Sequence, residues 1–189
     1  MSSKGGLGLK HYARTKFGEN SEAARQTYSQ GDINTTLIHT ARGRTITLYY
    51  DTTLPRPFNM IYRLQGTKGI YHGDLDKVYF EGLSPEAHRW EDAEEYARQY
   101  EHPMWRTLGE TAKNYSHGGG DYMMLYQFIA AVREGLPMPI DVYDAAAWSV
   151  ISPLSEKSVA GRSMVVDIPD FSRGKWKEKR ELSFPGIEM

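Results

Sequence analysis

A histidine, three glycines and an aspartate follow one another in the segment His117–Asp121. The imidazole titrates near neutral pH and the carboxylate accepts hydrogen bonds, so a proton donor and an acceptor share one short segment. Gly118 and Gly119 let a ligand approach the backbone closely and expose successive N–H groups at a helix start. The same spacing also fits a purely structural helix start with Asp121 as its N-cap. Both interpretations fit the residues.

Two further sets of charged residues are candidates for chemistry. Arg56 stands between two prolines, on a stiff loop, where it can clamp a substrate hydroxyl or carboxylate, or fix the loop through a salt bridge. Asp141 and Asp144 lie three residues apart, which suits an acid–base pair. An N-cap followed by a first-turn acid has the same spacing and is the commoner arrangement.

Several kinds of site are missing from the sequence. There is no Gly-x-Gly-x-x-Gly fingerprint after a strand, no phosphate-binding loop, no Gly-x-Ser-x-Gly and no His-Glu-x-x-His. With no cysteine, thiolate chemistry and cysteine-based zinc sites are excluded. Lys and Arg number 23 against 24 acids, so we expect neither nucleic acid nor a membrane as partner.

The N-terminal half reads as short helices followed by strands. Helices are expected between Leu7 and Tyr28, and alternating side chains predict a hairpin of strands 34–40 and 44–51. The prolines at 55 and 57 interrupt the strand pattern, because proline has no N–H to donate to a neighbouring strand. Strands over 59–64, 70–72 and 78–80 then predict an antiparallel meander.

The C-terminal half reads mainly as helices. They are expected over 90–100, from Pro103, after Asp121, and over 142–159 with a break or kink near Pro153. The helix that Asp121 caps carries apolar residues spaced as a buried stripe: Met124, Leu125, Phe128, Ile129 and Val132. A last strand is expected over 164–169 and a surface arm over 172–189.

This order of elements predicts an α+β fold in which an open, mostly antiparallel sheet has helices packed on one face. We expect residues 1–189 to form a single domain. The other face of the sheet must meet water or a partner, which favours a homo-oligomer formed through the open sheet face.

Several of these segments together resemble glycoside hydrolase family 109, NAD-dependent glycosidases of the Gfo/Idh/MocA oxidoreductase-like superfamily. The resemblance rests on His117-Gly-Gly-Gly-Asp-Tyr, on the run from Gly135 to Val159, and on 168–176; shorter matches are Tyr12-Ala-Arg-Thr-Lys-Phe-Gly and Pro55-Arg-Pro. It covers nearly the whole chain. Gly120 departs from it, because the family pattern is His-Gly-Gly-Met-Asp.

The resemblance implies an enzyme with an N-terminal Rossmann domain that binds NAD, and a C-terminal α+β domain that walls a sugar pocket. In such enzymes NAD⁺ transiently oxidises the sugar, elimination expels the aglycone, water adds and the hydride returns. The first residues resemble an internal segment, so we expect a chain without the cofactor domain, binding no NAD alone. A sugar or glycoside would meet His117, Gly118, Gly119 and Asp121, with Arg56 in support.

Overall fold

The computed structural model describes residues 6–29, 31–51 and 53–187. Within them the α-helices are α1 (Leu7–Phe17), α2 (Glu22–Arg25), α3 (Glu94–Tyr100), α4 (Pro103–Ala112), α5 (Gly120–Glu134), α6 (Val142–Ser149) and α7 (Ile151–Ala160). Two short 3-10 helices span His117–Gly119 and Lys175–Lys177. The strands are β1 (Ile33–His39), β2 (Thr45–Asp51), β3 (Arg63–Gln65), β4 (Gly69–His72), β5 (Lys77–Phe80) and β6 (Glu91–Asp92).

The chain divides into two compact units. The first unit ends at Ile61 and takes in Val150–Ile168; the second holds Tyr62–Ser149 and the chain from Pro169 onward. The expectation of one domain over 1–189 stays a prediction.

A two-stranded sheet dominates the first unit. β1 and β2 pair antiparallel in one register from Ile33 opposite Asp51 to His39 opposite Thr45. The turn closes through the N–H of Gly43, which donates to the carbonyl of Thr40, and the φ of +76° at Gly43 suits glycine. The hairpin expected from side-chain alternation is confirmed.

The second unit holds a four-stranded antiparallel sheet in the order β3-β4-β5-β6. The first strand is shorter than the expected 59–64, because Ile61 has a φ of +51°, which no regular strand accommodates. The expectation of helix from residue 90 is also wrong at its start: Glu91 and Asp92 pair with Val78 and Lys77.

The α+β fold class with open antiparallel sheets is confirmed, although the strands form two sheets rather than one. The helix expected over 142–159 is interrupted at Val150, and Pro153 lies in the first turn of α7, where no N–H is required. The strand expected over 164–169 is wrong. These residues are irregular, and Arg162 and Ser163 before them have positive φ angles that turn the chain.

The packed centre of the second unit lies where α5 meets α4 and the chain end. Met123, Gln127 and Ala131 form the buried face of α5, and Ala112 of α4 is fully buried. The predicted burial of the apolar stripe is therefore wrong: Met124, Leu125, Phe128, Ile129 and Val132 are 52–66% exposed. The helix buries the adjacent face instead.

Large apolar side chains are exposed in both units, for example Leu37 in the first and Phe128 in the second. Among the described residues no helix is long and apolar enough to cross a membrane.

Candidate functional site

The candidate site is the turn between α4 and α5. Three successive residues have left-handed backbone conformations, with φ of +53° at His117, +62° at Gly118 and +91° at Gly119. Two of the three are glycines, for which this region carries no steric cost. The turn reverses the chain tightly, and His117 is left exposed at its tip.

Gly119 is fixed by close packing as well as by its backbone angle. A Cβ at this position would lie 2.8 Å from the carbonyl carbon and oxygen of Ala112. The N–H of Gly119 already donates to the carbonyl of Ser116, at 3.1 Å. Its role within the chain is therefore to seat the start of α5 against the end of α4, and a contact with substrate stays a prediction.

Gly120 differs from its neighbour although the residue type is the same. Its φ of −58° and ψ of −44° are those of a helix, and beyond its chain neighbours and its own helix backbone no atom lies within 4 Å of an added Cβ. A side chain at this position therefore meets no obstacle at its Cβ, and glycine here lowers the stability of the helix rather than relieving a clash at that atom.

His117 and Asp121 form a hydrogen-bonded pair across the turn. Nδ1 of His117 lies 2.7 Å from Oδ2 of Asp121, and the hydroxyl of Ser116 donates to the same oxygen at 2.7 Å. The expectation that Asp121 caps the helix is wrong. The N-cap is Gly119, which has no side chain, and the carboxylate binds His117 instead.

The pair shifts both protonation equilibria. The hydrogen bond to Asp121, followed by the attraction of its charge, raises the pKa of His117. The hydrogen bonds from His117 and then from Ser116 lower the pKa of Asp121. An ionised carboxylate beside a protonated imidazole is therefore favoured, which makes His117 a better hydrogen-bond donor than a proton acceptor.

A row of tyrosines borders this turn and was missed by the sequence analysis. The rings of Tyr115 and Tyr122 stack at 4.9 Å between centroids, and Tyr122 and Tyr126 follow at 6.4 Å. The i, i+4 spacing of Tyr122 and Tyr126 was a signal for a shared helix face. The stacking of Tyr115 on Tyr122 could be recognised only once the geometry of the turn was known.

Arg56 belongs to the first unit and is engaged by its own loop. Its guanidinium donates to the carbonyls of Asn59, at 2.9 Å, and Asp51, at 3.2 Å, and Nε lies 3.3 Å from the carboxylate of Asp51. These contacts match the loop-fixing interpretation. A contact with substrate stays a prediction.

Asp141 and Asp144 start a helix. The Oδ1 atom of Asp141 accepts from the N–H groups of Tyr143 and Asp144, while Asp144 accepts from the N–H of Asp141. These bonds, led by that from the N–H of Asp144, lower the pKa of Asp141. Arg180 bridges both carboxylates at 2.8–3.1 Å. These contacts match the interpretation of Asp141 as an N-cap and of Asp144 as an acid in the first turn of α6.

The described residues contain no group of three or more histidine, aspartate or glutamate side chains that could hold a metal ion. A cavity of about 440 Å³ lies beside the second half of α5, lined by Tyr126, Ile129, Ala130, Arg133, Glu134 and Gly186. Neither His117 nor Asp121 lines it.

The described residues thus combine an α+β fold with an exposed His–Asp pair at the glycine turn. Comparison with known proteins identifies which domain this is. The family model for the C-terminal domain of glycosyl hydrolase 109 matches residues 1–178. The chain belongs to this family, and the resemblance stated from its motifs is confirmed.

Individual relatives agree with the family match. An alpha-N-acetylgalactosaminidase of Tannerella forsythia is 46% identical over 89% of this chain and 36% of its own length. A glycosyl hydrolase family 109 protein of Parabacteroides distasonis is 44% identical with the same coverage. One of Stenotrophomonas maltophilia is 40% identical over 93% of this chain and 38% of its own length. The chain thus spans less than two fifths of these relatives.

Proposed function

We propose that this chain is the substrate-side domain of an NAD-dependent glycosidase or sugar oxidoreductase and is inactive alone. The observation that carries the proposal is the family match over residues 1–178, combined with relatives of which the chain covers only 36–40%. One of these relatives is an alpha-N-acetylgalactosaminidase. A glycoside is therefore the expected ligand class.

The His117–Asp121 pair supplies the polar part of the proposed site. Because Nδ1 faces Asp121, the ring, whose side chain is 81% exposed, offers Nε2 to a ligand hydroxyl. The hydrogen bond to Asp121 raises the pKa of His117, which favours the protonated ring, and so a role as hydrogen-bond donor, over proton abstraction. Tyr115 and Tyr122 add the aromatic surface on which the apolar face of a sugar ring packs.

The strand pairing of the described residues supports a cofactor site elsewhere in the enzyme. Described strands pair only antiparallel, whereas the pyrophosphate of NAD binds at a helix N-terminus within a parallel βαβ unit. We therefore assign cofactor binding to a part of the enzyme outside this chain, and the reaction needs that part.

The proposal is tested by two measurements on this chain. Calorimetric titration with NAD⁺ and incubation with a nitrophenyl α-N-acetylgalactosaminide should give neither tight binding nor release of nitrophenol. Tight binding of NAD⁺ or turnover by the chain alone would contradict the assignment.

Sugar binding is tested separately, by saturation-transfer NMR with N-acetylgalactosamine. His117→Ala and Asp121→Asn should each weaken the transferred signal. His88→Ala, which changes another exposed histidine of the same unit, should leave it unchanged. Equal signals in all three variants would remove the pair from the site.

A second candidate function is assembly without catalysis. One face of the hairpin of the first unit exposes two large side chains, Leu37 at 72% and Tyr49 at 53%. We infer that this open sheet face is suited to a homo-oligomer, in which the His–Asp pair would be vestigial. Light scattering tests this, since a chain that stays monomeric at high concentration contradicts it.

A further inference from the structure

The side chain of Ser116 is the third member of the hydrogen-bonded group at the glycine turn. Its hydroxyl donates to Oδ2 of Asp121 at 2.7 Å, the oxygen that also lies 2.7 Å from Nδ1 of His117. A serine in front of a helical turn usually accepts a hydrogen bond from the backbone of that turn. Ser116 precedes the 3-10 helix His117–Gly119, but its side chain caps no N–H there. The hydroxyl reaches five residues forward to the carboxylate instead.

Both hydrogen bonds end on one oxygen atom. A carboxylate oxygen has two lone pairs, and the hydroxyl of Ser116 and the ring of His117 each bind one of them. The distances are those of charge-assisted hydrogen bonds to an ionised carboxylate. The orientation of the Asp121 carboxylate is therefore set by two groups, a hydroxyl and an imidazole.

The pair needs a second anchor because water competes for it. The side chains of His117 and Asp121 are 81% and 47% exposed. An exposed pair of this kind contributes little by itself, since holding both side chains in one geometry costs rotational entropy. A second donor on the same carboxylate removes part of that freedom. Ser116 is placed for this role, because its carbonyl accepts from the N–H of Gly119 at 3.1 Å and so ties it into the turn.

We propose that Ser116 is a positioning residue, which holds the carboxylate of Asp121 so that Nδ1 of His117 binds it and Nε2 is left for a ligand. This inference deepens the proposed function and rests on it for the claim that the ligand is a sugar. The hydrogen bond at Nδ1 decides which nitrogen carries the proton of the neutral ring. With Nδ1–H bound to Asp121, Nε2 donates when the ring is protonated and accepts when the ring is neutral.

Two effects of the Ser116 hydroxyl on the ring have opposite signs. A hydroxyl that only offset part of the carboxylate charge would, on removal, raise the pKa of His117 further. A hydroxyl that positions the carboxylate would, on removal, let Asp121 turn toward water and so lower the pKa of His117. In both cases the pKa of Asp121 rises, because a donor to its charged form is lost. The direction of the change at His117 therefore separates positioning from charge compensation.

The first test is an NMR titration of the chain with isotope-labelled histidine and aspartate, in which His117→Ala identifies the ring signals. Ser116→Ala should lower the pKa of His117 and raise that of Asp121. It should also reduce the ratio of Nδ1–H to Nε2–H tautomers of the neutral ring at least about twofold. Ser116→Thr keeps the hydroxyl and should keep the ratio of the unaltered chain.

The matched control is Ser172→Ala. The hydroxyl of Ser172 donates to Oδ1 of Asp170 at 2.6 Å, and the other oxygen of that carboxylate binds the N–H of Gly174 rather than an imidazole. Its removal should raise the pKa of Asp170 and leave the pKa and the tautomer ratio of His117 unchanged. Ser116 is exposed, so its replacement by alanine removes no buried contact, and far-UV circular dichroism checks that each variant is folded.

The second test compares saturation transfer to N-acetylgalactosamine in the same variants. The transferred signal should fall in Ser116→Ala and return in Ser116→Thr. No transfer in the unaltered chain would contradict the proposed function, while the ring measurements still decide the role of Ser116. An unchanged or raised pKa of His117 in Ser116→Ala, an unchanged tautomer ratio, or the same loss in Ser172→Ala would each overturn the proposal.

Discussion

Two adjacent glycines at the start of α5 should respond in opposite directions to the same substitution. At Gly119, alanine must adopt a φ of +91°, which costs about 1–2 kcal/mol for a residue with a Cβ. Its Cβ would also meet the carbonyl group of Ala112 at 2.8 Å. Because those atoms are backbone, relief requires α4 and α5 to separate, and such overpacking costs about 1–3 kcal/mol.

We therefore expect Gly119→Ala to lower the free energy of unfolding by about 2–5 kcal/mol. Gly120→Ala should raise it by about 0.5–1 kcal/mol, since the position is already helical and open, and alanine restricts the unfolded chain. The change in the free energy of unfolding caused by Gly118→Ala should lie between these two. This substitution retains the cost of the left-handed backbone, about 1–2 kcal/mol, but meets no atom within 4 Å.

Urea unfolding followed by tryptophan fluorescence measures these changes. All four tryptophans, at 90, 105, 148 and 176, lie in the second unit, so the signal reports on the unit that contains the turn. A loss below about 1 kcal/mol for Gly119→Ala, or destabilisation by Gly120→Ala as large as that by Gly119→Ala, would refute the packing of α4 against α5 described here.

Three further results are expected. Asp121→Asn should lower the pKa of His117 in an NMR titration. In the unaltered chain, the His117–Asp121 pair contributes to stability between the two pKa values. This contribution is lost as the pH rises through the raised pKa of His117 or falls through the lowered pKa of Asp121. Gln127→Ala should cost about 1–3 kcal/mol in urea unfolding, because Gln127 is 4% exposed and its amide donates at 2.9 Å to the carbonyl of Pro185. Arg180→Gln should change stability by less than about 1 kcal/mol, since the arginine is half exposed, but should speed proteolysis of the C-terminal arm.

The sequence was most informative about local structure. Alternation predicted the β1–β2 hairpin within a residue or two, and Pro103 marked the start of α4 correctly. Two-residue periodicity and helix-start signals act between neighbours along the chain, so a short window contains the forces that decide them. The short pairing of Glu91 with Val78 was missed because its partner lies on another strand and the acidic segment itself favours a helix.

Burial on α5 was predicted on the wrong face. The most apolar residues of the helix were expected inside, yet Gln127 is buried and Phe128 is exposed. The choice depends on contacts that no window on α5 contains: the backbone of Ala112 against Gly119, and Pro185 against Gln127, 58 residues apart. An apolar stripe indicates that a helix will be covered, but not whether its own chain covers it.

The sequence alone determined most of the element types, the glycine turn and the family, because these depend on short-range spacing and on motif residues. Only the tertiary structure decided that Asp121 binds His117 rather than capping α5, that Gly119 packs against Ala112 whereas Gly120 does not, and that Gln127 rather than Phe128 belongs to the buried face of α5. Each of these depends on which distant atoms come within a few ångströms, and that is set when helices and the chain end pack together.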